Sequence, residues 1–217
     1  AQLTGGAGDV TVRGTAAAGI GIEFGYGSAI STTTGAIGLY GTGADFGLDI
    51  ADGALDTESG DITLEGTATA TTATAGVRVT GPGLVTNGGD ITITGNSAGG
   101  VGVQLGDGSV FAIGSGGGAI TIEGTGIDAG VLMQGNQVAS RGGAVSITGT
   151  GGALGVSLEG SDIDSAGGAI DIEGTASAGG GIGVSLYDAQ LTGGAGDVTV
   201  RGTAAGGIGI EFSYGSA

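Results

Sequence analysis

"DITITG" at residues 90–95 decides the fold, because segments of the same design recur along the whole chain. In this segment the apolar Ile91 and Ile93 alternate with threonine, and a glycine closes it. Alternation with a period of two is typical of a β-strand with one buried face. The related segments are DVTVRG (9–14), AIGLYG (36–41), DITLEG (61–66), AITIEG (119–124), AVSITG (144–149), AIDIEG (169–174) and DVTVRG (197–202).

The spacing of these segments shows a short repeat within a longer one. Successive segments begin 27, 25, 29, 29, 25, 25 and 28 residues apart, which together make 188 residues. The same offset separates residues 1–29 from residues 189–217, which are identical at all but two positions. We expect residues 1–217 to form a single β-solenoid segment, with one 188-residue repeat and the first 29 residues of the next. The differences are Ala18 against Gly206 and Gly25 against Ser213.

Two further apolar clusters accompany each strand segment. One is an alternating group, such as Ile20, Ile22 and Phe24. The other is a single apolar residue that stands seven positions before the first apolar residue of the next segment. We expect all of these side chains to face the interior. The further alternating groups include Phe46, Leu48 and Ile50, then Val101, Val103 and Leu105, then Ile182, Val184 and Leu186; the single residues are Leu3, Ile30, Leu55, Leu84, Ile113, Val138, Ile163 and Leu191.

Three short strands in 25–29 residues, separated by glycine-rich corners, describe one turn of a three-sided coil. A single turn cannot bury its own apolar side, whereas stacked turns bury it together. The sequence therefore predicts an all-β protein, a three-sided parallel β-helix of about eight coils. The handedness of parallel crossover connections makes a right-handed coil the expectation.

The composition excludes several other classes of protein. The chain has 57 glycines but one proline, which argues against collagen, and 39% of its residues are apolar, which argues against disorder. The net charge is -17, with four arginines and no lysine. Nucleic acid and anionic membranes require positive charge, so we expect no nucleic-acid partner and no membrane insertion.

The units GGDITITGNSAGGVGVQL (88–105) and GGAIDIEGTASAGGGIGVSL (167–186) resemble repeats of giant bacterial exoproteins. These are the filamentous-haemagglutinin-like and beta strand repeat-containing surface proteins. The resemblance implies a structural module that forms the shaft or filament of a secreted, cell-surface or extracellular-matrix protein. Its main partner would be itself, through continuation of the array, end-to-end stacking or lateral bundling. The alternative is an adhesin that recognises a glycan, a cation or a surface on its lateral faces.

The sequence lacks most of the residue types that enzymes use for catalysis. Histidine, cysteine and lysine are absent, which removes the usual nucleophile–base pairs, Schiff-base lysines and zinc ligands. We therefore expect no enzyme, no cofactor, and no catalytic, cofactor-binding or metal-binding residue. A polysaccharide-active β-helix enzyme, which would need clustered carboxylates, is the third alternative. Asp61 and Asp90 would lie on adjacent coils, where they either form part of a solvated acidic face or share a divalent cation such as Ca²⁺.

Three weaker surface patterns complete the predictions. A partial threonine file, which includes Thr63 and Thr92, is compatible with ice binding, but charges in the next outward file disfavour it. Two charge pairs on adjacent coils, Asp49–Arg78 and Glu173–Arg201, are expected to be surface pairs of about 0–1 kcal/mol each. The tyrosines are dispersed in sequence, so we expect no aromatic platform for sugars. They are Tyr26, Tyr40, Tyr187 and Tyr214.

Overall fold

The computed structural model describes residues 1–25, 27–81, 83–108 and 111–216. Within these ranges the chain forms strands, turns and bends and no helix, so no helix there is long and apolar enough to cross a membrane. The strands form three sheets of eight strands each, and every pairing is parallel. The predicted three-sided parallel β-helix of about eight coils is confirmed. Tyr26 and Pro82 lie outside the described residues.

Each coil contributes one strand to each sheet. Sheet A contains β1 (Gln2–Gly6), β4 (Ala29–Thr32), β7 (Ala54–Thr57), β10 (Gly83–Thr86), β13 (Phe111–Gly114), β16 (Asn136–Ala139), β19 (Asp162–Asp164) and β22 (Gln190–Thr192). Sheet B contains β2 (Val10–Thr15), β5 (Ile37–Gly43), β8 (Ile62–Ala68), β11 (Ile91–Ser97), β14 (Ile120–Thr125), β17 (Val145–Gly151), β20 (Ile170–Ala176) and β23 (Val198–Ala204). Sheet C contains β3 (Ile20–Phe24), β6 (Phe46–Ala51), β9 (Ala75–Thr80), β12 (Val101–Leu105), β15 (Ala129–Gln134), β18 (Leu154–Glu159), β21 (Ile182–Tyr187) and β24 (Ile208–Ser213).

Equivalent residues of successive coils lie directly above one another. Ile91 of β11 faces Ile62 below and Ile120 above, and Leu84 of β10 faces Leu55 and Ile113. Parallel strands are about 4.8 Å apart, so the seven steps from the first coil to the eighth advance roughly 34 Å. The corner of constant length predicted from the single apolar residues therefore keeps sheet A in register with sheet B.

The aliphatic residues of the inner coils form one continuous core. Leu55 and Leu84 are buried, as predicted. Leu3 is 39% exposed, so the prediction that it would be interior is wrong, whereas Leu191 is half-buried and packs against the core as predicted. Both keep the predicted register, but each lies in an end coil, which has a neighbouring coil on one side only.

The prediction that the first residue of each alternating group in sheet C faces the core is wrong for three of them. Ile20, Val101 and Ile182 are half-buried and do not pack against the core cluster. The strand pairing skips the glycine that follows, since Ile20 faces Phe46 and Ile22 faces Leu48 with no pair between. The glycine thus displaces the preceding apolar residue from the interior. Phe46 itself lies under the guanidinium group of Arg78, whose carbon is 4.2 Å from the ring centroid.

Glycine columns bring sheets B and C into backbone contact near their shared corner. A Cβ atom added to Gly124 in β14 would clash with the carbonyl oxygen of Gly130 and lie 2.9 Å from Cγ2 of Val131. The equivalent glycine of every coil meets the facing strand in the same way. This column is Gly14, Gly41, Gly66, Gly95, Gly124, Gly149, Gly174 and Gly202.

A column of buried hydroxyl groups closes the corner between sheets A and B. Ser140 donates a hydrogen bond to the carbonyl oxygen of Gly143, three residues later, and Ser165 does the same to Gly168. Glycine follows three residues after each member, so this corner is built in the same way in the six inner coils, whereas glycine (Gly5 and Gly193) takes the position in the first and last coils. The members are Thr32, Thr57, Thr86, Ser115, Ser140 and Ser165.

Candidate functional site

Asp61 and Asp90, for which the sequence leaves a solvated acidic face or a shared cation as alternatives, bind the backbone of the next coil. One carboxylate oxygen of Asp61 accepts the N–H of Asp90 at 2.8 Å, and one oxygen of Asp90 accepts the N–H of Ala119 at 2.7 Å. Asp9 accepts the N–H of Ala36 in the same manner. These three carboxylates accept the N–H that immediately precedes β5, β11 and β14. A Ca²⁺ ion shared by Asp61 and Asp90 stays an untested alternative.

Within the described residues, no group of three or more carboxylates is positioned to hold a metal ion. The expectations of no catalytic residue and no enzymatic activity stay predictions from composition.

The Asp49–Arg78 pair forms as predicted, but it is more buried than a surface pair. Nε and Nη2 of Arg78 donate to the two carboxylate oxygens of Asp49 at 2.8 and 2.6 Å. Asp49 is only 4% exposed. The hydrogen bonds from Arg78 to Asp49 raise the pKa of Arg78 above its usual value, whereas burial acts to lower it. Arg78 is thus held between Asp49 and the ring of Phe46.

Arg201 takes a different partner from the predicted one. Glu173 and Arg201 face each other in register, but Nη1 of Arg201 donates to Oδ1 of Asp171 at 2.7 Å. Asp171 lies two residues earlier on the same strand as Glu173, within diagonal reach of a long side chain. The side chains of Arg201 and Asp171 are 57% and 51% exposed. The Asp171–Arg201 pair is therefore an ordinary surface pair, unlike the Asp49–Arg78 pair.

The predicted threonine file on sheet B is in register, and a more regular one lies four residues further along the strands. A mixed file that includes Arg13, Tyr40 and Glu65 lies between these two threonine files. The charged and aromatic side chains interrupt the flat array of hydroxyl groups that ice binding would need, so ice binding stays an unfavoured hypothesis. The further file, which the sequence alone did not reveal, is Thr15, Thr42, Thr67, Asn96, Thr125, Thr150, Thr175 and Thr203.

The prediction that the tyrosines are dispersed is wrong for two of them. The rings of Tyr187 and Tyr214 lie with their centroids 4.9 Å apart at an interplanar angle of 44°. They are 44% and 76% exposed. The two residues are 27 positions apart in sequence, which is the length of one coil. This spacing is the feature of the sequence from which their contact could have been predicted. Tyr40, in contrast, lies under the guanidinium group of Arg13 on sheet B.

A polar cleft of about 450 Å³ adjoins this tyrosine pair at the corner between sheets C and A. Glu159 on its wall directly faces Tyr187 in the next strand, and the N–H of Gly160 donates to the carbonyl oxygen of Tyr187 at 2.9 Å. Gln134 donates to Oε2 of Glu159 at 2.9 Å. The lining residues are Gly108, Gln134, Gly135, Asn136, Gln137, Glu159, Gly160 and Asp162.

One buried acceptor at the cleft has no protein partner. Asn136 is 1% exposed, and its Nδ2 donates to the carbonyl oxygen of Leu105 at 3.0 Å. Its Oδ1 has no hydrogen-bond donor among the residues that the structure describes. An unsatisfied buried acceptor costs about 1–3 kcal/mol, so this position favours a buried water molecule.

The cleft, the tyrosine pair and the Asp49–Arg78 pair are the features of this surface that depart from a plain repeat. Comparisons with protein-family models, with curated proteins and with solved structures find no match to this chain.

Proposed function

We propose that this β-helix is a structural module, a length of shaft or filament in a secreted, cell-surface or extracellular-matrix protein. The observation that carries the proposal is the continuity of the stack. Equivalent strands pair in parallel from coil to coil in all three sheets, and the aliphatic side chains of the inner coils form one buried core. Each inner coil is covered by its two neighbours and not by a separate element, which is the arrangement of an elongated rod.

The surface chemistry supports an extracellular rod. Twenty-one acidic residues against four arginines give a strongly negative surface, which keeps neighbouring rods apart and soluble. The chain contains no cysteine, so its cohesion does not depend on the redox state of its surroundings. The resemblance to large bacterial exoproteins agrees with this location and role.

Immunogold electron microscopy of the producing cells tests the proposal. Antibodies raised against residues 1–217 are expected to label fibres or a fibrous layer outside the cell. Label confined to the cell interior, or to compact surface particles without fibres, would contradict it. Preimmune serum on the same sections is the control.

A further inference from the structure

We propose that one lateral edge of the rod binds a linear neutral oligosaccharide that lies along the rod axis. The site is the file formed by Gln134, Glu159 and Tyr187 on successive coils, together with Tyr214 on the last coil and the adjoining cleft. This binding site is additional to the shaft role and does not depend on it.

The tyrosine pair supplies the stacking surface of the site. Tyr187 and Tyr214 are the most exposed tyrosines of the described residues, and their ring contact orients each against the other. An exposed tyrosine ring offers an apolar face together with a hydroxyl group. The apolar face of a pyranose ring stacks on such a surface, and its hydroxyl groups remain free for hydrogen bonds. Two rings on adjacent coils give contacts for two successive sugars.

The cleft supplies the polar partners. Carboxylates and side-chain amides of Glu159, Asp162, Gln134 and Gln137 surround it, so sugar hydroxyl groups find both acceptors and donors. A few polar groups beside an aromatic surface are the usual composition of a small-ligand site.

Charge and spacing define the class of sugar. The cleft is lined by two carboxylates and no arginine, so an anionic polysaccharide would be repelled. Successive coils are about 4.8 Å apart, close to the length of one pyranose unit in an extended chain. An extended oligosaccharide along the axis would therefore place about one sugar on each coil, from Tyr214 to Tyr187, Glu159 and Gln134.

Isothermal titration calorimetry of the whole chain tests the site with cellohexaose, xylohexaose and mannohexaose, which are extended and neutral. We expect at least one of them to bind at millimolar concentration or below. Tyr187→Ala and Tyr214→Ala should each weaken that binding by about tenfold or more, as the loss of an aromatic anchor does. Tyr187→Phe, which keeps the ring, should bind within about twofold of the parent chain.

Tyr40→Ala is the matched control, because Tyr40 lies on sheet B beside Arg13 and away from the cleft. It should leave binding unchanged, and circular dichroism should show every variant folded. The proposal is overturned if none of the three neutral hexaoses binds, or if Tyr187→Ala and Tyr40→Ala behave alike. It is also overturned if hexagalacturonate binds better than the neutral sugars, or if CaCl₂ alone binds and Glu159→Gln abolishes that binding.

Discussion

At the scale of single residues, the two arginine–aspartate pairs show how burial changes the contribution of an ion pair to stability. Arg78 makes two hydrogen bonds to the buried Asp49, whereas Arg201 makes one to the half-exposed Asp171. Removing one partner of a buried pair leaves an uncompensated charge away from water. An exposed pair is solvated and screened, so its loss costs little.

Arg78→Ala should therefore lower the free energy of unfolding by about 2–4 kcal/mol, because it leaves Asp49 buried and unpaired. The matched control, Arg201→Ala, should change it by no more than about 1 kcal/mol. Urea unfolding monitored by circular dichroism measures both. Equal effects of the two substitutions would contradict the distinction.

The pH dependence of this difference follows from the raised pKa of Arg78. A cation whose pKa is higher in the folded chain contributes its full stability below the unfolded pKa and loses it only as the pH rises through the folded pKa. Arginine titrates far above neutrality, so the cost of Arg78→Ala should be the same at pH 7 and at about pH 9. If the loss of stability caused by Arg78→Ala decreased between pH 7 and about pH 9, a group other than Arg78 would control the pair.

At the scale of elements, two columns of repeated residues fix the cross-section. The glycine column, present in every coil, lets sheets B and C approach to backbone contact, and the hydroxyl column of the inner coils binds carbonyl groups at the corner between sheets A and B. Neither column adds apolar area to the core. Both decide how the three walls meet.

Gly124→Ala should destabilise the chain by about 3 kcal/mol or more, because the facing atoms of Gly130 belong to the backbone and cannot move aside alone. Gly114→Ala, in the same coil, is the control. Its added Cβ would meet only the carbonyl oxygen of Ala139 at 4.0 Å, and the facing residue of the next coil is itself alanine. Thermal unfolding should leave this control within about 0.5 kcal/mol of the parent chain.

Ser140→Ala should cost about 1 kcal/mol, because the half-buried carbonyl group of Gly143 loses its hydroxyl donor. Ser140→Thr keeps the hydroxyl, and threonine already occupies this column at Thr86, so it should be close to neutral. Chemical denaturation of the two variants compares them directly. A threonine variant as unstable as the alanine variant would indicate that volume, not the hydrogen bond, matters at this corner.

The sequence predicts the strands and their register well, because alternation and a constant corner length are both one-dimensional patterns. Leu84 and Leu55 face each other on adjacent coils for that reason. The position of Ile20 outside the core could not be predicted, since it depends on backbone contact of the following glycine with a neighbouring coil. The contact between Tyr187 and Tyr214 escaped prediction for a related reason. Residues one coil apart must be compared by structural register, not by nearness in sequence.

The two differences between residues 1–29 and 189–217 fall at glycines that are free of such backbone contacts. Gly25, which is serine at position 213, has no atom within 4 Å of an added Cβ. Gly206, which is alanine at position 18, would meet its nearest atom at 3.6 Å, an ordinary van der Waals contact. The repeat thus varies where a side chain has room.

At the scale of the whole molecule, stability and proposed function both depend on stacking. Each inner coil is covered on two sides, and the end coils on one, which is why Leu3 and Phe212 are exposed while their inner equivalents are buried. In such a one-dimensional assembly, added coils lengthen the core without changing its cross-section. A rod of this kind therefore becomes longer along its axis and does not become thicker.

Small-angle X-ray scattering of a chain lengthened by one 188-residue repeat, compared with residues 1–217, tests this claim most directly. Seven added coils should lengthen the particle by roughly 34 Å at about 4.8 Å per coil, with the same cross-sectional radius of gyration. A particle that thickens instead, or whose length stays the same, would contradict the continuous parallel stack.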